Sequence, residues 1–292
     1  MCLKLFNDFS PLRYPGSKQR IAKYIEIILS YNAFNPDVIV EPFVGGGSMF
    51  LYFLFHKIVK KAIISDKDKL IYSFWKIVFE DCNYLVEFIK NVTIDIDNFI
   101  HYKKVAINEK KYSTYELAEA CIFLNRTSFS GIMANSTGPI GGKYQNSSYS
   151  IGCRFNKESI INKIKFISTL SKKVKILDSG WRSAIKVSND LISNKSFYKS
   201  AFYYLDPPFY NKAKELYRVY FSHSEHVKLC NFLRDFKKIW ILSYDNCKEI
   251  KTLYKNKYKQ IHIDVPYSIN SKSRRIEKEI IITPLNIPRI YK

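Results

Sequence analysis

Four consecutive residues, Asp206-Pro207-Pro208-Phe209, have the types and the order that suit chemistry on an exocyclic amine. They follow the apolar run 201–205, which is typical of a buried strand, and the two prolines end that strand in a rigid turn. A carboxylate and a proline carbonyl can each accept a hydrogen bond from a ring-bound amine, while the aromatic side chain stacks on the ring. Such an amine is a poor nucleophile because its lone pair is delocalised into the ring, and two acceptors would localise that lone pair. A plain strand-ending Asp-Pro turn is the alternative interpretation.

A second candidate segment, 40–48, reads Val-Glu-Pro-Phe-Val-Gly-Gly-Gly-Ser and joins a predicted strand to a predicted helix. Glycines in such a turn let the backbone approach a ligand closely, although their spacing is not that of the dinucleotide-binding fingerprint. We predict that Ser48 is the N-cap of the helix. Asp66 ends the next strand and is placed to accept hydrogen bonds from a ribose diol. Each of these features is common in ordinary turns when it occurs alone.

The elements that position these residues alternate between strands and helices. The predicted strands are 38–43, 62–65, 174–177, 201–205, 240–244, 260–265 and 279–283, and a helix is predicted over 48–60. This order indicates an α/β fold on a mostly parallel sheet, which binds ligands at the carboxyl ends of its strands. Residues 67–170 interrupt the alternation with helix-length segments and then a Gly-, Ser- and Asn-rich stretch, 130–150. We therefore expect an inserted, mainly helical subdomain at 67–170 and a main domain formed by 1–66 and 171–292.

The charge of the chain narrows the classes of partner. Lys and Arg number 47 against 26 Asp and Glu, which gives a formal net charge of +21. Residues 67–142 are neutral, whereas 143–200 and 207–292 carry net charges of +9 and +10. A codon bias toward lysine could also produce an excess, but it would spread lysine evenly along the chain. The uneven distribution favours a polyanionic partner, with nucleic acid ahead of an anionic membrane.

Other features argue against several classes of protein. The six cysteines are far apart and form no Cys-x-x-Cys pair, so we predict reduced thiols and no zinc site. The first ten residues lack the apolar run of a signal peptide, and the most apolar stretch, 49–59, has about half the length that spans a bilayer. His223 and His226 have no third metal ligand nearby, so we predict surface or capping roles for both. We expect no metal site and a cytoplasmic protein.

Taken together and in order, the motifs resemble those of the Dam-like (D12 class) DNA adenine-N6 methyltransferases. The matching segments are 13–18 (Arg-Tyr-Pro-Gly-Ser-Lys), 41–48, Asp66 and 206–209. Asn-Arg-Thr at 125–127 and Ser-Tyr at 243–244 are also similar to family segments, and the resemblance covers nearly the whole chain. It implies a Rossmann-like, S-adenosylmethionine-dependent methyltransferase sheet that carries an inserted target-recognition subdomain.

The resemblance also implies roles for individual residues. The catalytic residues would be Asp206, Pro207, Pro208 and Phe209. The residues that bind S-adenosylmethionine would be Tyr14, Gly16, Lys18, Glu41, Phe43, Gly45, Gly47, Asp66, Asp178 and Asp206. The candidate DNA contacts are Asn125, Arg126, Lys143, Arg274 and Arg275, the last two in a basic loop, 271–275, at the rim of the sheet. Residues 135–148 could form a ribbon that reads the major groove, and a structural role for Asn125 and Arg126 is the alternative to DNA contact.

Two departures from the family pattern affect these expectations. Phe209 stands where tyrosine is commoner, which keeps the stacking face and loses a hydroxyl. The family often has an Asp-aromatic pair that touches the cofactor adenine, but here the stretch reads Asp178-Ser179-Gly180-Trp181. The acid is thus displaced from the aromatic residue, and Asp178 is an uncertain cofactor ligand.

The expected partner is double-stranded DNA, in a bacterial, archaeal or phage-encoded system. The enzyme would act either beside a cognate restriction endonuclease, as part of a restriction-modification system, or without one, as an orphan methyltransferase. The reaction we expect is site-specific methylation of the N6 amine of a flipped-out adenine. Methylation of cytosine N4, of RNA or of a protein amine is the alternative that shares the same turn. A non-catalytic DNA-binding module would not need the motif at 206–209. A cytosine carbon-5 enzyme would need a cysteine nucleophile, usually after proline, and no Pro-Cys pair occurs in the chain.

Overall fold

The protein is built on one seven-stranded sheet. The computed structural model describes residues 9–13, 19–194, 200–255, 257–270 and 273–288. The strands are β1 Val38–Glu41, β2 Lys61–Ser65, β3 Val174–Leu177, β4 Ala201–Leu205, β5 Ile239–Asp245, β6 Lys259–Asn270 and β7 Ser273–Thr283. Their order across the sheet is β3-β2-β1-β4-β5-β7-β6. Strands β1 to β5 pair in parallel, and β7 pairs antiparallel with both β5 and β6. The predicted α/β fold on a mostly parallel, Rossmann-like sheet is confirmed.

The two faces of the sheet are covered by different helices. The helices are α1 Gln19–Tyr31, α2 Ser48–Phe55, α3 Lys69–Glu80, α4 Cys82–Asn91, α5 Ile96–Ile107, α6 Thr114–Thr127, α7 Lys157–Ser168, α8 Trp181–Ser193, α9 Ala213–Leu216, α10 His223–Asp235 and α11 Lys248–Leu253. Alternate residues of a strand point to opposite faces. Ile39 and Phe202 therefore join the core formed with α1 to α3, while Val38 and Tyr203 join the core formed with α8, α10 and α11.

Residues 67–170 form the connection from β2 to β3. The connection is mainly helical and contains α3 to α7, with α3 packed against α6. Four of its five helices begin at an Asp or Asn N-cap whose side chain accepts a backbone N–H bond, and α6 begins at a Ser113–Glu116 capping box. Phe74 and Phe123 from this connection belong to the same hydrophobic core as Phe202 of β4. The insertion therefore packs directly onto one face of the sheet.

Several local predictions from the sequence are wrong. Helix α2 ends at Phe55 rather than residue 60, because Lys57 adopts a left-handed conformation with φ 57°. Residues 135–148 form successive turns rather than a ribbon, since Gly141, Gly142 and Gln145 all have positive φ. The Gln145 amide donates to the carbonyl groups of residues 140 and 142, which holds these turns. Residues 273–275, expected in a loop, belong to β7.

Several predicted site residues lie outside the part of the chain that the structure describes. They are Tyr14, Gly16 and Lys18, together with the side chains of Arg274 and Arg275. Within the described ranges, no helix combines the length and the apolar character that crossing a bilayer requires.

Candidate active site

The carboxyl ends of β1, β2 and β4 open into one cleft. Because these strands are parallel, Glu41, Asp66 and Asp206 all lie at the same edge of the sheet. The cleft has an empty volume of about 820 Å³ and opens to solvent. Its wall also includes the segment 42–49 and residues Asp68, Trp181, Pro208, Arg218 and Phe221. The structure thus brings together the two motifs that the sequence separates by about 160 residues.

The glycine turn is held from three sides. The N–H of Gly45 donates to Asp66 Oδ2 at 2.9 Å, and Trp75 Nε1 donates to the Gly45 carbonyl at 2.9 Å. The Ser10 hydroxyl donates to the Gly46 carbonyl. Gly47 has φ 69°, and a Cβ at that position would lie 2.5 Å from the Phe50 ring and 2.6 Å from the Trp75 ring. A side chain at 47 is excluded by both backbone conformation and space.

Glu41 supports the helix that follows this turn. Its carboxylate is buried, with 3% exposure, and Oε2 accepts from the Phe50 N–H in the first turn of α2 at 3.0 Å. The N-cap of α2 is Gly47, so the predicted N-cap role of Ser48 is wrong, and Glu41 supplies an acceptor that Gly47 lacks. Burial raises the pKa of Glu41 well above its usual value, and the nearby Asp206 and Asp66 carboxylates raise it further.

Asp66 is fixed by the backbone on both of its oxygens. Oδ2 accepts from the Gly45 N–H, and Oδ1 accepts from the Asp68 N–H at 2.9 Å. Burial, together with the adjacent Asp68 carboxylate, raises the pKa of Asp66 to about 7. Each carboxylate oxygen has two acceptor sites, so this geometry is compatible with hydrogen bonds from the two hydroxyls of a ribose.

Asp206 projects from the end of β4 and is oriented by the neighbouring strand. The Ser243 hydroxyl of β5 donates to Asp206 Oδ1 at 2.8 Å, and the Tyr204 hydroxyl lies 2.8 Å from the same Ser243 oxygen. The turn that follows Asp206 is anchored by Asp245 at the end of β5. Its carboxylate accepts from the Tyr210 N–H at 2.7 Å and from the Asn211 N–H at 3.0 Å. The two prolines and this anchor make the segment a rigid wall of the cleft.

Phe209 is buried in the structure, with 7% exposure. Its ring packs edge-on against Tyr217, with the centroids 5.9 Å apart. Pro208 lines the cleft beside it. The stacking of a substrate ring on Phe209 stays a prediction, and it requires the ring to become accessible.

The segment after β3 places its aromatic residue, rather than its acid, at the cleft. Asp178 forms an ion pair with Lys69 at 2.5 Å, and both side chains are nearly half exposed. Trp181, three residues later, lies in the cleft wall and packs edge-on against Phe232. Of the four residues 178–181, where the sequence departs from the family pattern, only Trp181 lines the cleft.

Arg218 is a cleft residue that the sequence analysis missed. Its guanidinium donates to Asp68 Oδ1 at 2.5 Å, to the Ala106 carbonyl at 2.6 Å and to Glu109 Oε2 at 2.8 Å. The side chain is 8% exposed, and the two acidic partners raise its pKa against the effect of burial. No local pattern marks this residue, because its partners come from segments more than 100 residues away.

Comparison with known proteins identifies the family. A profile of the D12 class N6 adenine-specific DNA methyltransferases matches residues 14–269. The chain belongs to this family. The type II methyltransferase M.MjaIII of Methanocaldococcus jannaschii is 27% identical over 248 residues, which cover 78% of this chain and 80% of the relative. The type II methyltransferase M1.LlaDCHI of Lactococcus lactis subsp. cremoris is 24% identical over 291 residues, 93% of each chain. The predicted family and enzyme class are confirmed.

Two of the candidate DNA contacts of this methyltransferase connect the insertion to the N-terminal segment. The Asn125 side chain is fully buried, accepts from the Arg13 N–H at 2.7 Å and donates to the Arg13 carbonyl at 2.7 Å. The Arg126 guanidinium donates to the carbonyl of Pro11. These contacts support the structural alternative for both residues.

The turns at 135–149 carry the exposed candidates. Lys143 is exposed, and its ammonium group lies 5.8 Å from the centroid of the Tyr144 ring. Tyr144 and Tyr149 are 82% and 53% exposed. Exposed aromatic and basic side chains on one segment suit contact with bases and phosphates.

Proposed function

We propose that this enzyme transfers a methyl group from S-adenosylmethionine to the N6 amine of an adenine turned out of duplex DNA. The observation that carries the proposal is the single cleft in which Asp206 and its rigid turn face the glycine turn and Asp66. A turn that can hold a base, and a glycine turn with Asp66 that can hold a nucleoside, share one cleft. This arrangement suits transfer of a methyl group from a nucleoside cofactor to a base.

The charges of the cleft support a cationic cofactor. In a chain of net charge +21, this cleft is lined by the carboxylates of Glu41, Asp66, Asp68 and Asp206. Its basic residues are Lys67 and Arg218, and Arg218 is paired with Asp68 and Glu109. S-adenosylmethionine supplies, when bound, a methyl group on a positively charged sulfonium, which favours such a site.

Asp66 would accept hydrogen bonds from the ribose hydroxyls of the cofactor, and Trp181 would offer a ring face to its adenine. Asp206 and the Pro207 carbonyl would each accept a hydrogen bond from the N6 amine of the target. Holding both N–H bonds would localise the lone pair on nitrogen, as methyl transfer requires. The N–C bond would form as the sulfonium S–C bond breaks, which leaves a neutral thioether, and the proton that the amine loses would leave through its hydrogen bond to Asp206. The rigid turn fixes both acceptors before the substrate arrives, and preorganised polar groups of this kind are a major source of catalysis.

The target adenine has to leave the helix to reach this turn. In stacked DNA its ring faces are covered, whereas in a cleft lined by Pro208 and the segment 42–49 they would be free to contact the protein. Extrusion costs a few kcal/mol, and contacts with phosphates must offset this cost. The basic blocks 143–200 and 207–292 can supply these contacts.

The relatives favour a place in restriction and modification. Both are named type II methyltransferases, and they cover most of the chain. We propose that this enzyme protects a specific site against a cognate endonuclease.

Incubation of the enzyme with methyl-labelled S-adenosylmethionine and either duplex DNA or RNA tests the proposal. The label should appear in DNA, as N6-methyladenine after digestion to nucleosides. Asp206→Ala should lower the rate by about a hundredfold or more, because it removes one of two preorganised acceptors. Label found as N4-methylcytosine, or only in RNA, would support the alternative activities instead.

Base flipping has its own test. A duplex with 2-aminopurine at the target position should become more fluorescent when the enzyme binds, because the base leaves its stacked neighbours. Unchanged fluorescence with bound enzyme would contradict flipping.

A further inference from the structure

We propose that Tyr204 and Ser243 are positioning residues for the catalytic carboxylate, acting through a buried chain of hydrogen bonds that ends on Asp206 Oδ1. The chain runs from the Tyr204 hydroxyl to Ser243 Oγ and then to Asp206, each step measuring 2.8 Å. This inference rests on the proposed role of Asp206 in holding the target amine.

The direction of the chain follows from the chemistry of its members. An ionised carboxylate can only accept, so Ser243 donates its single hydroxyl proton to Asp206. Ser243 must then accept from its other partner, and the Tyr204 hydroxyl is the donor of that bond. The chain thus delivers one directed hydrogen bond to one oxygen of the carboxylate.

The register of the sheet creates this alignment. Leu205 of β4 pairs with Leu242 of β5, so the next residues on the two strands, Asp206 and Ser243, are neighbours. Tyr204 and Asp206 are two residues apart and point to the same face of the sheet. Tyr204 and Ser243 are both 0% exposed, so water does not compete for their hydroxyl groups.

The side chains around these hydrogen bonds are acidic. Glu41 from β1 and Glu279 from β7 face Tyr204 together with Asp206, and Asp66, which follows β2, faces Glu41. Neighbouring carboxylates favour the protonated form of an acid, whereas a hydrogen bond from a hydroxyl favours the ionised form. Burial and Asp206 raise the pKa of the Tyr204 phenol well above its usual value, so Tyr204 remains a donor at any working pH.

Two effects on the reaction follow. The donated bond restricts rotation of the Asp206 carboxyl group, which keeps its lone pairs aimed at the amine. It also stabilises the ionised form, so the acceptor remains available at a lower pH. Both effects belong to the chemical step rather than to binding of the cofactor or of DNA.

Removal of the hydroxyl groups one at a time tests the chain. Ser243→Ala should lower the single-turnover methylation rate by about ten- to a hundredfold, and Tyr204→Phe by a few fold. In Ser243→Ala the acidic limb of the pH–rate profile should move to higher pH, because the donor to the carboxylate is lost. In Tyr204→Phe the limb should move in the same direction by a smaller amount, because Ser243 keeps its bond to Asp206 but loses the donor that orients and polarises it. The affinity for S-adenosylmethionine and the 2-aminopurine signal should stay within about twofold of the wild-type values.

Tyr203→Phe is the matched control. Tyr203 is the adjacent residue of β4, is 1% exposed, and donates its hydroxyl to Asn189 on the opposite face. Its loss should lower the melting temperature about as much as Tyr204→Phe, with no change in the pH profile.

Two outcomes separate failure of this inference from failure of the proposed function. If Asp206→Ala abolishes methylation but Tyr204→Phe has the rate and pH profile of Tyr203→Phe, the positioning role is overturned alone. If Asp206→Ala keeps the wild-type rate, the proposed function of Asp206 fails, and the positioning role fails with it. Tyr204→Phe changes no ring contact, so it decides the question even if Ser243→Ala does not fold.

Discussion

At the scale of single residues, the carboxylates of the cleft differ in role because they differ in their donors. Glu41 accepts from the backbone of α2, Asp66 from the glycine turn, and Asp206 from a serine side chain. An acceptor bound by backbone is fixed by the fold itself, whereas Asp206 accepts from a side-chain hydroxyl that a substitution can remove. Substitution of Glu41 should therefore affect mainly stability, substitution of Asp66 mainly cofactor binding, and substitution of Asp206 mainly the rate of the chemical step.

Cofactor binding should depend on pH through Asp66. Its pKa of about 7 means that the carboxyl is half protonated at neutrality, and a cationic ligand favours the ionised form. The dissociation constant of S-adenosylmethionine, measured by calorimetry, should be about tenfold higher at pH 6 than at pH 8. Asp66→Asn should weaken binding at pH 8 and abolish most of this dependence.

The raised pKa of Asp66 makes stability depend on pH in the opposite direction to cofactor binding. The native carboxyl binds a proton more readily than the unfolded one, so the contribution of Asp66 to the stability of the ligand-free enzyme increases as the pH falls from 7 toward 4. The free energy of unfolding of Asp66→Asn should lack this increase. A wild-type dependence in the variant would show that other groups cause it.

Gly47→Ala should destabilise the enzyme by about 2 kcal/mol or more. The left-handed backbone disfavours a Cβ, and the added atom collides with Phe50 and Trp75. Gly138→Ala is the control, since a Cβ there meets nothing within 4 Å, and it should change stability by less than about 0.5 kcal/mol. Urea denaturation followed by circular dichroism measures both variants, and equal midpoints would contradict the role assigned to Gly47.

The sequence was informative about residues that act through local motifs and uninformative about those that act through tertiary contacts. Asp66 and Asp206 are recognisable because each follows a strand, and parallel strands bring their carboxyl ends together. Arg218 was missed because its partners are distant in sequence. Ser48 was assigned as N-cap from local preference, but Gly47 begins the helix and the remote Glu41 provides the acceptor.

At the scale of elements, one side chain connects three segments around the cleft. Arg218 lies between β4 and α10, and it contacts the N-cap of α3, the last turn of α5 and the short helix 109–111. The wall of the cleft that follows the turn at Asp206 is thereby tied to residues 67–170.

Arg218→Ala should lower the free energy of unfolding by about 3–5 kcal/mol, because it leaves Asp68 buried without its charged partner. Chemical denaturation measures this effect.

Lys69→Ala is the control for Arg218, because it breaks the exposed ion pair with Asp178. Exposed pairs contribute little, so its effect should stay within about 1 kcal/mol. Equal effects of the two variants would contradict the structural role of Arg218.

Elements with strong apolar patterns were predicted closely, whereas segments controlled by single backbone conformations were not. β3 and β4 have the predicted bounds because each is a short apolar or β-branched run between polar segments. The end of α2 and the turns at 135–148 depend on left-handed residues such as Lys57 and Gln145. Neither Lys nor Gln prefers the left-handed conformation, so a sequence does not predict it at these positions.

At the scale of the whole molecule, the net positive charge is carried outside residues 67–142, the segment that contains α3 to α6. Residues 67–142 are neutral and the blocks after them are strongly basic. Phosphate contacts release counterions, so the affinity for DNA should fall linearly with salt on logarithmic axes. The slope of this line is proportional to the number of phosphates that basic residues contact.

Lys143→Ala should reduce the salt slope by about one, because it removes one phosphate contact. Lys228→Ala is the control, since Lys228 is an exposed residue of α10 on the sheet face opposite the insertion. Fluorescence anisotropy at several salt concentrations measures both slopes. An unchanged slope for Lys143→Ala would place the phosphate contacts elsewhere.

The common core of sheet and insertion has a consequence for how new specificities arise. Phe74 and Phe123 pack in the same core as Phe202, so a graft of the whole insertion from a relative brings foreign surfaces into the interior of its host. Among residues 135–149, only Ile140 is buried. A graft limited to those turns changes the exposed face and leaves the interior intact. If residues 135–149 read the target site, exchange of this short segment should therefore be enough to transfer a new specificity, without repacking the interior that the helices beneath it share with the sheet.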